Sequence, residues 1–500
     1  SNITRPGTSA ANIRLTSSTG NRTFNVANAT GGGADLTVAA PLIDANGGTS
    51  SLTKAGDGVM VLASTSTYSG STTISGGTLR LSGPAPAVQN GAFDAPGLGA
   101  NSYTYYNSMS AAQKAAFVWT SSSTNGQGGA LVNNSTAWGY TMPYPSPSQA
   151  FSLQRDAVIS ESLYFTPGVY TISWSHARRG SQVNPYYFQL NGVSQGATIS
   201  APGTAWSTVS TTFTIPTAGN YTIGFLGTGS TDLSVALDDI SLSGGQLPSA
   251  TAVSITAAGA SLDLNGVTQT IGSLAGVADS SVLLGGATLT TGGDGSSTTF
   301  AGDISGSGPV IKTGGGTWLV DGSISAPVNV LAGTLGGTAT IAGAVNVAAG
   351  AHLAPGDSPG RLWTGSLTLA PDSLLDIELT PTAWDMVDMA DLAGSVSLAD
   401  AILNLSTTGN FAAYGGSQYM IINNEGPDAI DGTFVDMLGQ NLPEGSILNV
   451  GQGQFALTYV GGNGNDVVLT AVPEPATALL VMLAVPAVAA RLRRRVRTRT

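Results

Sequence analysis

The sequence predicts an all-β protein: a parallel β-solenoid interrupted by an antiparallel β-sandwich and followed by one C-terminal hydrophobic helix. Three observations lead there. Charged residues make up only 9% of the 500 residues, against roughly 25% in typical soluble domains. Glycine, with 68 copies, leads the small and polar residues that fill the gap, a composition suited to thin, regular strands joined by glycine turns. Two stretches far apart in the chain resemble each other without a gap, and a unit that cannot bury its own apolar face must stack on neighbours. Finally, residues 85–245 hold ten of the 14 tyrosines and four of the seven tryptophans, a shift that marks a separate domain. The expected division is 1–84 solenoid, 85–245 sandwich, 246–470 solenoid and 471–500 tail.

The repeat comes first. Leu52-Thr53-Lys54-Ala55-Gly56-Asp57-Gly58-Val59-Met60-Val61-Leu62 aligns on Val310-Ile311-Lys312-Thr313-Gly314-Gly315-Gly316-Thr317-Trp318-Leu319-Val320. Each copy reads as strand, glycine turn, strand, with one lysine ahead of the turn. Gly77-Thr78-Leu79 and Gly333-Thr334-Leu335 close the two copies. Looser echoes at Gly259–Leu264, Gly286–Leu289 and Gly350–Leu353 place a small-residue turn before alternating apolar positions, the mark of half-buried strands. These stretches, with Leu353–Gly360 and Gly461–Leu469, resemble the autotransporter-associated β-strand repeat of passenger domains. That resemblance implies a right-handed parallel β-helix. A passenger normally precedes a membrane β-barrel of alternating strands, and nothing after Leu469 reads as one.

The aromatic-rich middle is entered through Pro84-Ala85-Pro86 and left through Ser243-Gly244-Gly245. Strand candidates are Tyr170–Trp174, Tyr187–Leu190, Thr211–Ile215 and Tyr221–Phe225, spaced by glycine and proline turns as in an antiparallel sandwich. Ser110–Phe117 reads as a short capped helix. Asn90-Gly91-Ala92-Phe93-Asp94, Thr166-Pro167-Gly168-Val169-Tyr170 and Leu237-Asp238-Asp239-Ile240-Ser241-Leu242 resemble galactose-binding-like jelly rolls, a fold shared by many carbohydrate-binding modules.

That resemblance directs attention to aromatic residues, whose flat faces pack on sugar C–H groups. Trp138, Tyr140, Tyr144 and Tyr186 sit among proline, glycine and asparagine and are the stacking candidates; the competing reading is that they are core. His176 and Arg178 continue the even-numbered face of Tyr170, Ile172 and Trp174, so they form either a ligand-cleft pair or a packed sheet edge. For a metal, hard oxygen ligands suit Ca²⁺. Asn90 and Asp94 open the first strand while Asp238 and Asp239 adjoin the last, and in a jelly roll these strands lie side by side. Asp239 capping a turn is the alternative. Gly461–Leu469 fits a calcium-binding nonapeptide but stands as a single copy, so a strand-initiating turn is expected there.

Other chemistry is bounded by what is missing. The chain has no cysteine, which excludes disulfides, thiolate metal sites and a cysteine nucleophile. Its two histidines, His176 and His352, lie in different expected domains and in no nucleophile-elbow or zinc-helix motif. Six arginines of the tail belong to a total of 17 basic residues, leaving 11 against 29 acids upstream. No basic stripe is present to neutralise phosphates, so nucleic acid is not an expected partner. Parallel β-helices also host polysaccharide lyases and hydrolases; Asp376, Glu378, Asp385 and Asp388 are the densest acidic group available to that alternative. The expectation is that the chain is not an enzyme.

The tail runs Val472-Pro473-Glu474-Pro475, then apolar from Ala476 to Ala490, then basic through Arg491, Arg493, Arg494, Arg495, Arg497 and Arg499. The apolar stretch is shorter than the roughly 20 residues that span a bilayer, and Pro486 weakens it as a helix. The arginines belong on the cytoplasmic side. This three-part end resembles the PEP-CTERM sorting signal of exported bacterial proteins. The resemblance implies that a membrane sorting protease of the exosortase type acts on it, with Pro473, Glu474, Pro475 and the Arg493–Arg495 cluster as the signal. An ordinary membrane anchor is the competing reading. Taken together, the sequence predicts an exported surface or matrix protein with a solenoid spacer and a glycan-binding sandwich. A purely structural protein without a ligand is the third alternative.

Overall fold

In the computed structural model the chain is described over residues 2–472, apart from 4–12, 16–20, 30–32, 39, 46–47, 84, 125, 135–137, 141–142, 146–148, 166–167, 358, 381, 390–393 and 409–414. The protein is all-β; among the described residues one α-helix, Ala111–Phe117, accompanies the strands. The chain divides into two compact units, residues 1–248 with 262–268, and residues 249–261 with 269–500.

The first unit opens with parallel ladders. Strand Asn21–Asn25 pairs with Ser51–Ala55, which pairs with Thr72–Ile74. Strand Leu36–Val38 pairs with Val59–Leu62, which pairs with Thr78–Leu81. Alternation sends Leu52, Met60, Leu62, Ile74, Leu79 and Leu81 into the interior. The segment 262–268 joins this region through the ion pair of Arg80 Nε with Asp263 at 2.6 Å.

From Ser102 to Ser243 the same unit turns antiparallel. One sheet has six strands in the order Ser102–Tyr105, Ala130–Asn133, Gln149–Gln154, Ser234–Ser243, Gly168–Arg178, Ser207–Ile215. The other has five: Thr120–Ser122, Val158–Phe165, Gly219–Gly227, Tyr186–Leu190, Val193–Ser194. Phe93, Phe117, Trp119, Phe151, Phe165, Tyr170, Trp174, Phe188, Phe213 and Phe225 fill the space between them. The helix begins where the sequence places it, because Ser110 and Gln113 form a reciprocal capping box that satisfies two otherwise orphaned amides.

The second unit is built from parallel ladders whose strands recur roughly every 20 residues, within the range of repeat architectures. In one ladder Val253 meets Leu274 and, further on, Leu335 meets Leu353 and Leu353 meets Leu375. In a second, Val282 meets Ile304, Ile304 meets Ile324 and Ile324 meets Ile341. In a third, Leu289 meets Val310, Val310 meets Val328 and Val328 meets Val345. Aliphatic side chains therefore stack in columns, each burying the one before it. The unit closes with antiparallel pairs, Gln418–Asn423 and Gly453–Gly461 each pairing with Asp466–Ala471. Gly461–Asp466 is the turn of that last hairpin. Asp466 Oδ1 accepts the Asn424 amide and Oδ2 the Asn463 amide, at 2.8 and 3.1 Å. The nonapeptide-like stretch thus starts a strand.

The repeat lysines are buried, which the sequence does not announce. Lys54 is 0% and Lys312 1% exposed. Lys54 Nζ donates to the carbonyls of Ala55, Gly56 and Gly76 at 3.2, 2.7 and 2.8 Å. Lys312 Nζ donates to those of Thr313, Gly314 and Ala332 at 2.8, 2.9 and 3.1 Å. Each ammonium thus ties the glycine turn that follows it to the next turn along the stack. Gly56 and Gly314 adopt φ of 76° and 66°, the left-handed region that only glycine enters cheaply. An added Cβ on Gly314 would stand 2.0 Å from the Gly292 oxygen. Burial lowers both lysine pKa values.

Among the described residues no helix is long and apolar enough to cross a membrane. The tail with Pro473, Glu474, Pro475, Arg493, Arg494 and Arg495 lies outside them, as does Thr166-Pro167.

Candidate glycan-binding face of the sandwich

The six-stranded sheet has an outer face paved with small residues. Because side chains alternate along a strand, Leu131, Phe151, Val235 and Leu237 point to the core, while Ala130, Ala150, Ser152, Ser234 and Ala236 point outward and lie buried. On this floor rest Trp138, Tyr140 and Tyr144. Tyr140 is anchored by its hydroxyl, 2.6 Å from Ser152 Oγ and 3.0 Å from Ser234 Oγ, and burial pushes its pKa up to about 12. Tyr144 carries a buried hydroxyl without a hydrogen-bond partner among the described residues. Burial, with Tyr140 and Asp238 nearby, raises its pKa too.

For these three aromatics the sequence leaves two readings, exposed stacking faces or core. They are 3%, 7% and 4% exposed, because the small-residue floor leaves room for rings and the chain fills that room with its own. What reaches solvent is the rim of the same cluster. Tyr103 and Tyr105 alternate onto the outer face from the edge strand; Tyr103 is 46% exposed and meets the Trp138 ring edge-on at 5.6 Å. Arg179 stacks over Trp138 at 4.9 Å and pairs with Asp232 at 3.5 Å, and Gln154 donates to Asp232. Trp206, partly buried, packs against Tyr144 at 5.5 Å. A partly open aromatic rim carrying a carboxylate and a guanidinium, with the buried Gln154 amide behind the carboxylate, combines stacking with directional polar contacts. The alternating Tyr103-Thr104-Tyr105 was the sequence signal for this rim; Arg179, Asp232 and Trp206 gave none.

The His176 face is the core face. His176 is 4% exposed, with Nδ1 2.6 Å from the hydroxyl of Tyr186, which also accepts the indole N–H of Trp174 at 2.8 Å. The contact with Nδ1 serves either neutral tautomer: the tyrosine O–H donates to Nδ1 in the Nε2–H form, and Nδ1–H donates to the tyrosine oxygen in the other. Burial lowers the His176 pKa to about 4 and raises that of Tyr186. His176 and Tyr186 therefore form an internal hydrogen-bonded chain rather than a ligand cleft. Arg178 is half-buried, its Nε without a hydrogen-bond partner.

The oxygen ligands foreseen for calcium are only partly brought together. The first and last segments do meet, Ile240 donating its amide to Gly91 O at 2.9 Å. Asp94 raises the Asp239 pKa, after burial as the larger cause, so these two carboxylates are neighbours. Asn90 is consumed elsewhere: its amide nitrogen donates to Ala95 O and Phe117 O at 2.6 and 3.0 Å, and its oxygen accepts Ala95 N. Asp238 is buried and accepts the Asp239 amide at 2.8 Å. The four residues do not fit as one ligand set; Asp94 and Asp239 remain as a pair. Among the described residues no group of three or more acidic or histidine side chains could hold a metal ion.

The acidic residues of the second unit go to separate partners. Asp376 bonds His352 and Asn404, both at 2.8 Å. Asp385 accepts the amides of Gly360 and Glu378, with burial raising its pKa to about 6. Asp388 pairs with Arg361.

Comparison with known proteins gives one family match: the passenger-associated-transport-repeat family matches residues 52–81. No curated protein matches the chain. Similar solved structures include TmCBM61 in complex with beta-1,4-galactotriose, at 14% identity over 32% of this chain and 97% of that one, TM-score 0.23. A family 35 carbohydrate-binding module from Clostridium thermocellum is similar at 15% identity over 32% and 98%, TM-score 0.19. The C-terminal CBM6 of a marine laminarinase from Zobellia galactanivorans is similar at 20% identity over 20% and 85%, TM-score 0.18.

Proposed function

We propose that this chain is an exported, non-catalytic surface or matrix protein whose antiparallel sandwich binds glycan and whose parallel ladders form a right-handed β-solenoid that serves as a spacer. The observation that carries the reading is the aromatic rim on the outer face of the six-stranded sheet. Tyr103 and Tyr105 supply ring faces and edges, braced by buried Trp138, and Arg179 and Asp232, the latter held by buried Gln154, supply hydrogen-bond donors and acceptors at the same place. Buried Tyr140 and Tyr144 hold the rim in place from below. In this reading the Val472–Thr500 tail is a PEP-CTERM-type address processed by an exosortase-type protease. Calcium, where it acts, neutralises the Asp94–Asp239 pair.

The test is a glycan-array and polysaccharide pull-down of the full chain beside Tyr103→Ala. Removing one stacking ring weakens binding about tenfold if it contributes near the upper end of an aromatic contact. Equal retention of the two proteins by every saccharide refutes the sandwich as the binding site.

A further inference from the structure

The second unit carries a polar and aromatic row that the preceding reading does not use. Across four neighbouring parallel strands the register aligns Thr340 with Trp363, Trp363 with Asp388 and Asp388 with Asn423. The neighbouring position in each strand, Ile341, Leu362, Val387 and Ile422, is buried, so alternation leaves Trp363 and Asn423 partly open, while Asp388 between them is buried at 7% exposure. Side-chain bonds knit it together. Arg361 Nη1 donates to Asp388 Oδ2 at 2.9 Å. Asn423 Nδ2 donates to Asp388 Oδ1 at 2.9 Å and to Glu425 Oε1 at 2.8 Å. The Arg361 guanidinium lies over the Trp363 ring at 5.6 Å.

The three tryptophans of this unit show why Trp363 stands apart. Trp318 is in the core. Trp384 is docked by its indole N–H on the Met420 carbonyl at 2.7 Å. Trp363 is partly open on the outer face, beside a fixed array of carboxylate, amide and guanidinium groups. From this juxtaposition we infer a second saccharide-binding site, independent of the sandwich, formed by Trp363, Arg361, Asn423 and Glu425 and held in place by Asp388. Trp363 stacks on a pyranose ring, and Arg361, Asn423 and Glu425 take hydroxyls of the next units, with buried Asp388 as the positioning residue that fixes Arg361 and Asn423. Strands about 4.8 Å apart space these contacts at a step comparable to one sugar unit, so the ligand is an extended chain. Two carboxylates against one guanidinium leave the row net acidic, which selects neutral polysaccharides over uronate-rich ones.

The experiment is affinity electrophoresis of the full chain in gels containing β-glucan, galactan, xylan or mannan, with alginate as the acidic comparator. Tyr103→Ala serves as background, so that failure of the sandwich site and failure of this one are told apart. Retardation by at least one neutral polysaccharide is expected to survive in Tyr103→Ala. It should weaken about tenfold when Trp363→Ala is added and return with Trp363→Phe, which keeps a ring and reports that the fold is intact. Loss of all binding in Tyr103→Ala alone, tighter binding to alginate than to neutral chains, or no effect of Trp363→Ala overturns the inference.

Discussion

Replacing Lys312 by methionine tests whether a buried ammonium holds successive turns of the stack together. The change keeps most of the aliphatic stem and removes three donors, at 2.8, 2.9 and 3.1 Å from the carbonyls of Thr313, Gly314 and Ala332. A buried acceptor left without a partner costs about 1–3 kcal/mol. Against this, removing a buried charge recovers several kcal/mol of desolvation. With three acceptors orphaned, the balance comes to a net loss of about 3 kcal/mol. The assay is thermal unfolding with native-state hydrogen exchange at Leu331, whose amide donates to the Lys312 carbonyl at 2.8 Å. Faster exchange there and a lower Tm are expected. There is also a pH signature. Because burial lowers the Lys312 pKa below its usual 10.5, the unfolded state binds more protons between the folded pKa and 10.5. Stability from this group therefore rises with pH across that window, and Lys312→Met abolishes that part of the rise. An equal or higher Tm for Lys312→Met refutes the clamp, since it means that the charge cost more than its hydrogen bonds returned.

Glu161, 6% exposed on the core side of the five-stranded sheet, has its pKa raised by burial from 4.5 to about 7, partly opposed by the Gln89 amide. The folded state keeps the proton longer, so sandwich stability falls as pH rises from 4.5 to 7, by about 3 kcal/mol in all; chemical denaturation at pH 5 and 8 should show this slope, and Glu161→Gln should flatten it. Tyr186→Phe deprives Trp174 of its acceptor and His176 Nδ1 of its partner, and should lower stability by about 1–3 kcal/mol, measured by urea unfolding. Millimolar Ca²⁺ should raise the Tm of the native chain by relieving the Asp94–Asp239 repulsion, with no such rise in Asp239→Asn; an identical rise in both places the ion elsewhere.

Strand and turn positions were legible because their signals are local. Tyr170, Ile172 and Trp174 alternate, glycines punctuate, and Ser110 with Gln113 announces a helix start; the strands Gly168–Arg178 and Ser207–Ile215 contain the segments foreseen. The capped helix likewise runs Ala111–Phe117. The candidate site was less legible. Trp138, Tyr140 and Tyr144 lie beneath the rim of their cluster, because whether a ring is open or covered depends on the small residues of strands distant in sequence. Arg179 and Asp232 meet only when two segments more than fifty residues apart come into register.

By itself the sequence determined the all-β class, the recurrence of a strand–turn–strand unit and the aromatic middle segment, since alternation, composition and turn chemistry act between neighbours along the chain. The tertiary structure alone decided which faces are inside. It turned His176 into a core residue, split Asp94 and Asp239 from Asn90 and Asp238, and buried Lys54 and Lys312 among carbonyls. A side chain's solvation is set by whatever packs across from it, and that partner is chosen by the fold rather than by its neighbours in sequence.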